Sequence, residues 1–336
     1  MNALRKLNAN NSNSYFSGPS APNRPMPLIG ISTSFAATSA GTAGEMMSAL
    51  SAAGAEALEL DYRLRPDVLK ALIPALRSAQ IPVISVHNFC PIPSDLSGSS
   101  GGGDLFRLSD RDADRRKEAV RWTVRTLETA SEVEATAVVL HGGRVDAGHD
   151  EGVIRDRRPW GLLDTDGARH RMTEMRDAIR RLKPPFLDGL FFSLDRLIPT
   201  AEQYGITLGL ENRYHFYELP TVDDFGSILR RFDGAPLGYW HDTGHAHAAQ
   251  QLGIKTANEM LDELADRMVG VHLHDARGLE DHLPPGEGEV DFNGLFDHLG
   301  GDELLVMELK PGTDPEVAVS GLILLKRWLA ECKNRG

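Results

Sequence analysis

The feature that most constrains this chain is an alternation repeated eight times. From Pro27 onward, short apolar runs are followed by stretches with helical periodicity. The runs expected to be strands are 28–32, 57–61, 83–87, 137–141, 206–211, 237–242, 269–274 and 304–308. Parallel strands need a crossover between them and a helix supplies it, so the pattern reads as a parallel α/β fold. Segment 112–130, for example, sets Val120, Val124 and Leu127 on one helical face. The last helix opens on Asp314-Pro315, a cap followed by proline at the first helical position. Eight such units fit a closed (β/α)8 barrel, parallel and eight-stranded, better than an open doubly wound sheet. No glycine-rich dinucleotide fingerprint follows the first run, which further lowers that alternative. A chain of 336 residues suits one such domain.

Three segments stand outside the alternation. Residues 1–26 are rich in Asn, Ser and Pro and lack the apolar stretch of a secretory signal, so they read as a disordered tail before a barrel spanning 27–336. Residues 88–111 contain SGSSGGGD and read as a flexible loop. Residues 142–188 form a long arginine-rich excursion after the fourth strand, expected to be partly helical. Both of the latter follow strands and so belong at the C-terminal mouth, where barrels of this kind build their sites.

Composition narrows the partners. The net charge of -12 argues against nucleic acid, whose binders draw affinity from neutralising phosphates with a basic surface. No apolar run reaches the roughly 20 residues of a membrane helix. Cys90 and Cys332 offer no disulfide framework, and the chain fits a reducing cytoplasm.

Strand alternation then places the polar residues. Successive side chains face opposite sides. In 206–211 the apolar Ile206, Leu208 and Leu210 suit the helix layer, which turns Thr207, Gly209 and Glu211 into the barrel. In 269–274, Val269, Val271 and Leu273 alternate with Gly270, His272 and His274, so both histidines point inward. Val83, Ser85 and His87 share a face, as do Ala137, Val139 and His141, and Leu304, Val306 and Glu308. Carboxylates converging on a barrel axis repel one another unless a cation offsets them. Imidazoles among carboxylates suit zinc, and also manganese or iron. The pattern thus predicts a divalent-metal site.

Motifs add to it. HDTGHAH puts Asp242 at a strand end and His245 three residues on; VHLHD carries His272; EDHLPPGEG makes a Gly/Pro-fixed loop with Glu280 and His282. Arg213, two residues past Glu211, is read either as a contact to a substrate oxygen or phosphate or as a surface salt bridge. His247 and His274 are expected to support ligands or to face solvent. Tyr214, His215 and Tyr217 shape the pocket wall or pack their loop, and the position of Cys90 alone does not make it a nucleophile.

Taken in order, LGLEN, HDTGHAH, VHLHD with HLPPGEGEVDF, and VMELK make the chain from about 27 to 329 resemble the xylose-isomerase-like TIM barrels. That superfamily includes sugar isomerases and epimerases and the endonuclease IV family. The sugar-epimerase resemblance implies one metal on Glu211, Asp242, His272 and Glu308. It also implies Glu211 and Glu308 as acid and base, and His245 against the substrate. The endonuclease IV resemblance implies a larger set around three zinc ions, adding His87, His141, His245 and His282. That family's remaining aspartate falls where this chain has Glu280.

The leading expectation is a metal-dependent isomerase or epimerase of a small sugar or related hydroxy-ketone, using zinc or manganese. Proton transfer by Glu211 and Glu308 would carry the chemistry. The first alternative is a zinc phosphodiesterase resembling endonuclease IV and acting on DNA. The second is a barrel that binds a ligand without catalysis.

Overall fold

The computed structural model describes residues 27–94, 96, 102–146 and 165–335. The expected tail at 1–26 and the middle of the excursion, 147–164, lie outside them. Eight parallel strands close into a barrel: β1 (Ile29–Ser32), β2 (Leu58–Leu60), β3 (Val83–His87), β4 (Ala137–Leu140), β5 (Thr207–Glu211), β6 (Leu237–Asp242), β7 (Met268–Leu273) and β8 (Leu304–Met307). Each pairs with its sequence neighbours, and β8 closes on β1 through Ile29–Leu305, Gly30–Val306 and Ile31–Met307. The strands sit where the apolar runs placed them, within a residue or two at each end.

The main core lies between barrel and helices, where Ile31, Leu60, Val86, Leu140, Leu208, Val271 and Leu273 pack against apolar helix faces. The helix Ala113–Glu132 is capped by the Asp112 carboxylate, which accepts from the backbone of Asp114 and Arg115. The first five residues of the helix Pro184–Tyr204 lie inside the expected excursion, because its paired prolines open a helix without losing a bonded N–H. The helix Asp166–Leu182 also lies within the excursion. Among the described residues no helix is long and apolar enough to cross a membrane.

Inside the barrel a second, smaller cluster joins Ala137, Val139, Trp240 and Val306 with Ile84, Val269 and Leu304. Trp240 fills the centre because its neighbours are glycines. A Cβ on Gly209 would fall 2.6 Å from its ring, and one on Gly270 would fall 2.2 Å from it.

Two irregularities correct the simple alternation. Between β2 and β3 the register jumps from Leu58–Val83 to Glu59–Ser85, so Ile84 turns inward while Val83 stays in the helix layer. Between β6 and β7 it jumps from Tyr239–Met268 to Trp240–Gly270, so Val269 packs inside, opposite to Val271 and Leu273. Each bulge adds one residue and resets the facing above it. His87, Gly270 and His272 therefore still point inward.

Candidate functional site

At the C-terminal mouth the strand ends deliver a dense array of acids and imidazoles. Glu211, Asp242, His272 and Glu308 are buried, and one ligand atom from each lies within 4.8 Å of the others. His272 Nδ1 is 2.7 Å from Glu211 Oε1, 3.2 Å from Glu308 Oε2 and 3.7 Å from Asp242 Oδ2. Two more groups share members with this quartet: His87, His141 and Glu211, and Asp242, His245 and His282.

Local structure explains the orientation of each. The side chain of Asp242 ends β6 and caps the helix Thr243–Gln251, its Oδ1 accepting from His245 N at 2.7 Å. Asn212, the last residue of LGLEN, clamps that corner. Its side chain accepts from Asp242 N and donates to Asp242 O, while its own carbonyl accepts from His245 Nδ1 at 2.9 Å. The lone pair of His245 is thereby assigned to Nε2. His87 is fixed likewise, Nδ1 donating to Asn88 O. Gly244 is small because a Cβ there would strike the His274 ring at 2.2 Å.

Sequence reasoning missed five participants. Glu59 in β2 is fully buried and accepts from Ser85 Oγ at 2.8 Å and from His272 Nε2 at 3.2 Å, which leaves Nδ1 of that ring facing the quartet. Its signal was a carboxylate between Leu58 and Leu60. Asp61 ends the same strand, paired with Arg63 at 2.8 Å. Asp104 comes from the glycine-rich loop, 3.4 Å from His141 Nδ1 and 3.2 Å from Arg213. In that loop Gly103 lies so close to His141 that a Cβ would fall 2.7 Å from Nδ1, so its described end, 102–104, packs on the site, while 97–101 lie outside the described residues. Asn212 is the fourth.

Asp281 is the fifth, and it corrects the place given to Glu280. The residues Asp275–Arg277 and Glu280–Leu283 form an antiparallel ribbon over the mouth. In it Glu280 is exposed and pairs with Lys310 at 2.6 Å, while Asp281 meets His282 at 3.2 Å and His245 at 3.9 Å. The ribbon's pleat sends neighbouring side chains to opposite sides. His282 holds a left-handed φ of 54° and donates its backbone N–H to His274 Nδ1 at 2.8 Å. His274 is buried rather than solvent-facing, and with Nδ1 accepting, its Nε2 donates to Asp242 Oδ2 at 2.9 Å. Asp275 sets the ribbon's course by accepting from the backbone of Ala276, Gly286 and Val290. His247 lies apart, beside Gln251 and Glu289. Arg213 is no surface pair: it is buried among Asp104, Glu211 and Glu218.

The electrostatics call for cations. Burial pushes the Glu211 carboxyl up, yet the imidazoles of His141 and His272 overcome this and hold it well below the usual range. For Asp242 burial is likewise outweighed, by His245 and His274. Burial favours neutral His272, but Glu59 and Glu308 hold it well above its ordinary value. Buried acids held ionised among so many ring nitrogens are a setting in which a divalent ion would neutralise the charge. Glu211 Oε2 lies 2.6 Å from His141 Nε2 but has no hydrogen bond of acceptable geometry. A buried oxygen and nitrogen so close without a bond fit two ligands converging on an ion, and the N/O donor set suits zinc or manganese.

Comparison with known proteins agrees with this architecture. The family model "Xylose isomerase-like TIM barrel" matches residues 47–328. An uncharacterized protein of Methanocaldococcus jannaschii is 33% identical over 149 residues, which is 43% of this chain and 49% of that relative. Among solved structures, a D-tagatose 3-epimerase-like protein is 20% identical with a TM-score of 0.62, covering 92% of this chain and 99% of that one. A 3-keto-D-glucoside 4-epimerase from E. coli in its apo form is 18% identical, covers 90% and 99%, and has a TM-score of 0.62. An L-ribulose 3-epimerase is 16% identical, covers 92% and 97%, and also has a TM-score of 0.62. At such identities the solved structures share the fold. With the family model covering most of its length, this chain belongs to the xylose isomerase-like TIM barrel family.

Proposed function

We propose that the chain is a divalent-metal-dependent isomerase or epimerase acting on a small sugar or related hydroxy-ketone. The observation that carries this reading is the buried quartet of three carboxylates and one imidazole, Glu211, Asp242, His272 and Glu308, on four strand ends. These four would hold the metal. A zinc or manganese ion bound there supplies Lewis acidity toward a carbonyl and its adjacent hydroxyl. Glu211 and Glu308 reach the same His272 nitrogen from different strands, so they flank one centre and can take and return a proton across a substrate carbon. His245, its Nδ1 held by Asn212, would touch the substrate through Nε2. The named epimerases among the structural neighbours support the substrate class.

The test combines metal analysis with solvent deuterium exchange across candidate ketoses. One bound ion per chain and exchange of a carbon-bound proton are expected. Glu211→Gln and Glu308→Gln should each lower turnover about 10²–10⁴-fold. A barrel that only binds a ligand would keep its affinity in both variants and exchange no proton.

A second reading, a zinc phosphodiesterase resembling endonuclease IV, is favoured by the two flanking groups that share Glu211 and Asp242 with the quartet. About three zinc ions per chain together with cleavage of DNA phosphodiesters would select it over the isomerase. A single ion with no strand cleavage would remove it.

A further inference from the structure

Beside the metal-ligand array lies a cavity of about 50 Å³, between the helix Asp166–Leu182 and the loop that leaves β5. Its lining includes Arg176, Arg180, Lys183 and Arg213, with Tyr214 and Thr221. Four cations and one carboxylate, Asp223, around one small cavity are an unexpected balance in a chain of net charge -12. The space is too small for a sugar ring and suits a substituent of a few atoms.

The four cations are not equally committed. Lys183 Nζ is held by Asp224 at 2.6 Å and by Thr221 Oγ1 at 3.1 Å. Arg180 pairs with Asp177 in solvent. Arg176 donates only a long bond, 3.4 Å, to Gly253 O, and meets no carboxylate among the described residues. Arg213 is the decisive one. Its side chain is 6% exposed, its Nη2 bonds Asp104 Oδ2 at 3.2 Å and lies 3.4 Å from Glu218, its Nη1 stands 3.5 Å from Glu211 Oε2 without a hydrogen bond, and its Nε has no hydrogen-bond partner. A buried guanidinium with two unspent donors requires an acceptor, and its planar fork matches the oxygens of a phosphate or carboxylate.

The same residues join the cavity to the metal-ligand array. Arg213 Nη1 lies 3.5 Å from Glu211 Oε2, and the Tyr214 ring is centred 5.9 Å from that of His245. An anion on Arg213 would therefore sit next to the carboxylate of Glu211, with Arg176 on the same cavity wall. We infer that the cavity is an anion pocket receiving the phosphate group of a phosphorylated sugar substrate. This rests on the isomerase reading for the sugar, but not for the anion.

The test is titration of the full-length protein, as purified, with inorganic phosphate, followed by ³¹P NMR or calorimetry, with the metal content of every sample measured. Phosphate should bind the parent, and affinity should fall about tenfold or more in Arg176→Ala and in Arg213→Lys, which keeps the charge but loses the fork. Metal content should not change. Because Arg176 lies on a helix surface, its variant remains informative even if the buried Arg213 variant folds poorly. Absence of phosphate binding, or equal affinity in parent and Arg176→Ala, would overturn the pocket, the latter placing phosphate on the metal. In turnover, Arg176→Ala should lower kcat/KM for a ketose phosphate about tenfold while sparing the free ketose. If neither ketose is turned over, the isomerase reading falls and the phosphate titration alone decides the pocket.

Discussion

Glu59 accepts from both Ser85 Oγ and His272 Nε2, and so fixes which nitrogen of that ring faces the quartet. Partners of this kind commonly govern affinity about as strongly as a weak ligand. Glu59→Gln should therefore weaken zinc or manganese binding about 10–100-fold in competition with a chromogenic chelator. Unchanged affinity would reduce Glu59 to a packing role. Glu218 offers a test by pH. Burial raises its carboxyl, but Arg213 and then His215 outweigh this and hold it near 2, against an ordinary 4.5. A depressed folded-state value contributes stability above 4.5 that is lost as pH falls toward 2. Glu218→Gln should then cost about 2 kcal/mol in urea unfolding at neutral pH, with the deficit shrinking below pH 4.5. A deficit independent of pH would exclude the ion pair as its cause. Glu211, His272 and Glu308 could be placed from sequence because the alternation of their apolar runs gives their facing, and Asp242 because its motif sets it at a strand end. Glu59 obeys the same rule but sits mid-strand, where a carboxylate looks out of place until its partners from β3 and β7 are known. The exchange of Glu280 for Asp281 was not readable, since the ribbon's pleat depends on where Asp275 anchors it.

At the scale of elements, the bulges at Ile84 and Val269 show why alternation works above a defect and fails across it. Sequence spacing carries no mark of a bulge, because the extra residue is as apolar as its neighbours. The glycines do leave a mark. Gly209 and Gly270 fall on the inward face of β5 and β7, beside the one indole that fills the barrel. Gly270→Ala would force that ring aside, at a cost of roughly 1–3 kcal/mol in the urea midpoint. Combining it with Trp240→Phe should cost less than the sum of the two single changes. Strict additivity would argue against the proposed contact. Gly103 is a different case, needed not for a turn but for close approach to His141.

For the molecule as a whole, the order and closure of the barrel follow from eight repeats of one short unit, which is why they were open to reading. The helix Asp166–Leu182 contributes to a pocket that depends on long-range packing and was hidden. A cluster of buried acids is a poor thing for an unfolded chain to hold together, so metal should bind the folded state preferentially. At about 100 times Kd it should stabilise the protein by about 2.7 kcal/mol, read as a fall in Tm when a chelator is added. An unchanged Tm would argue against a metal at this centre. Trp240 then becomes useful in another way. Its indole lies fully buried, its Nε1 without a hydrogen bond, 5.1 Å from the His272 ring. An indole this dry should emit at short wavelength, and its brightness should respond to the charge state of that imidazole. The packing residue at the barrel's heart is thus a built-in fluorophore, able to report occupancy of the centre without any label.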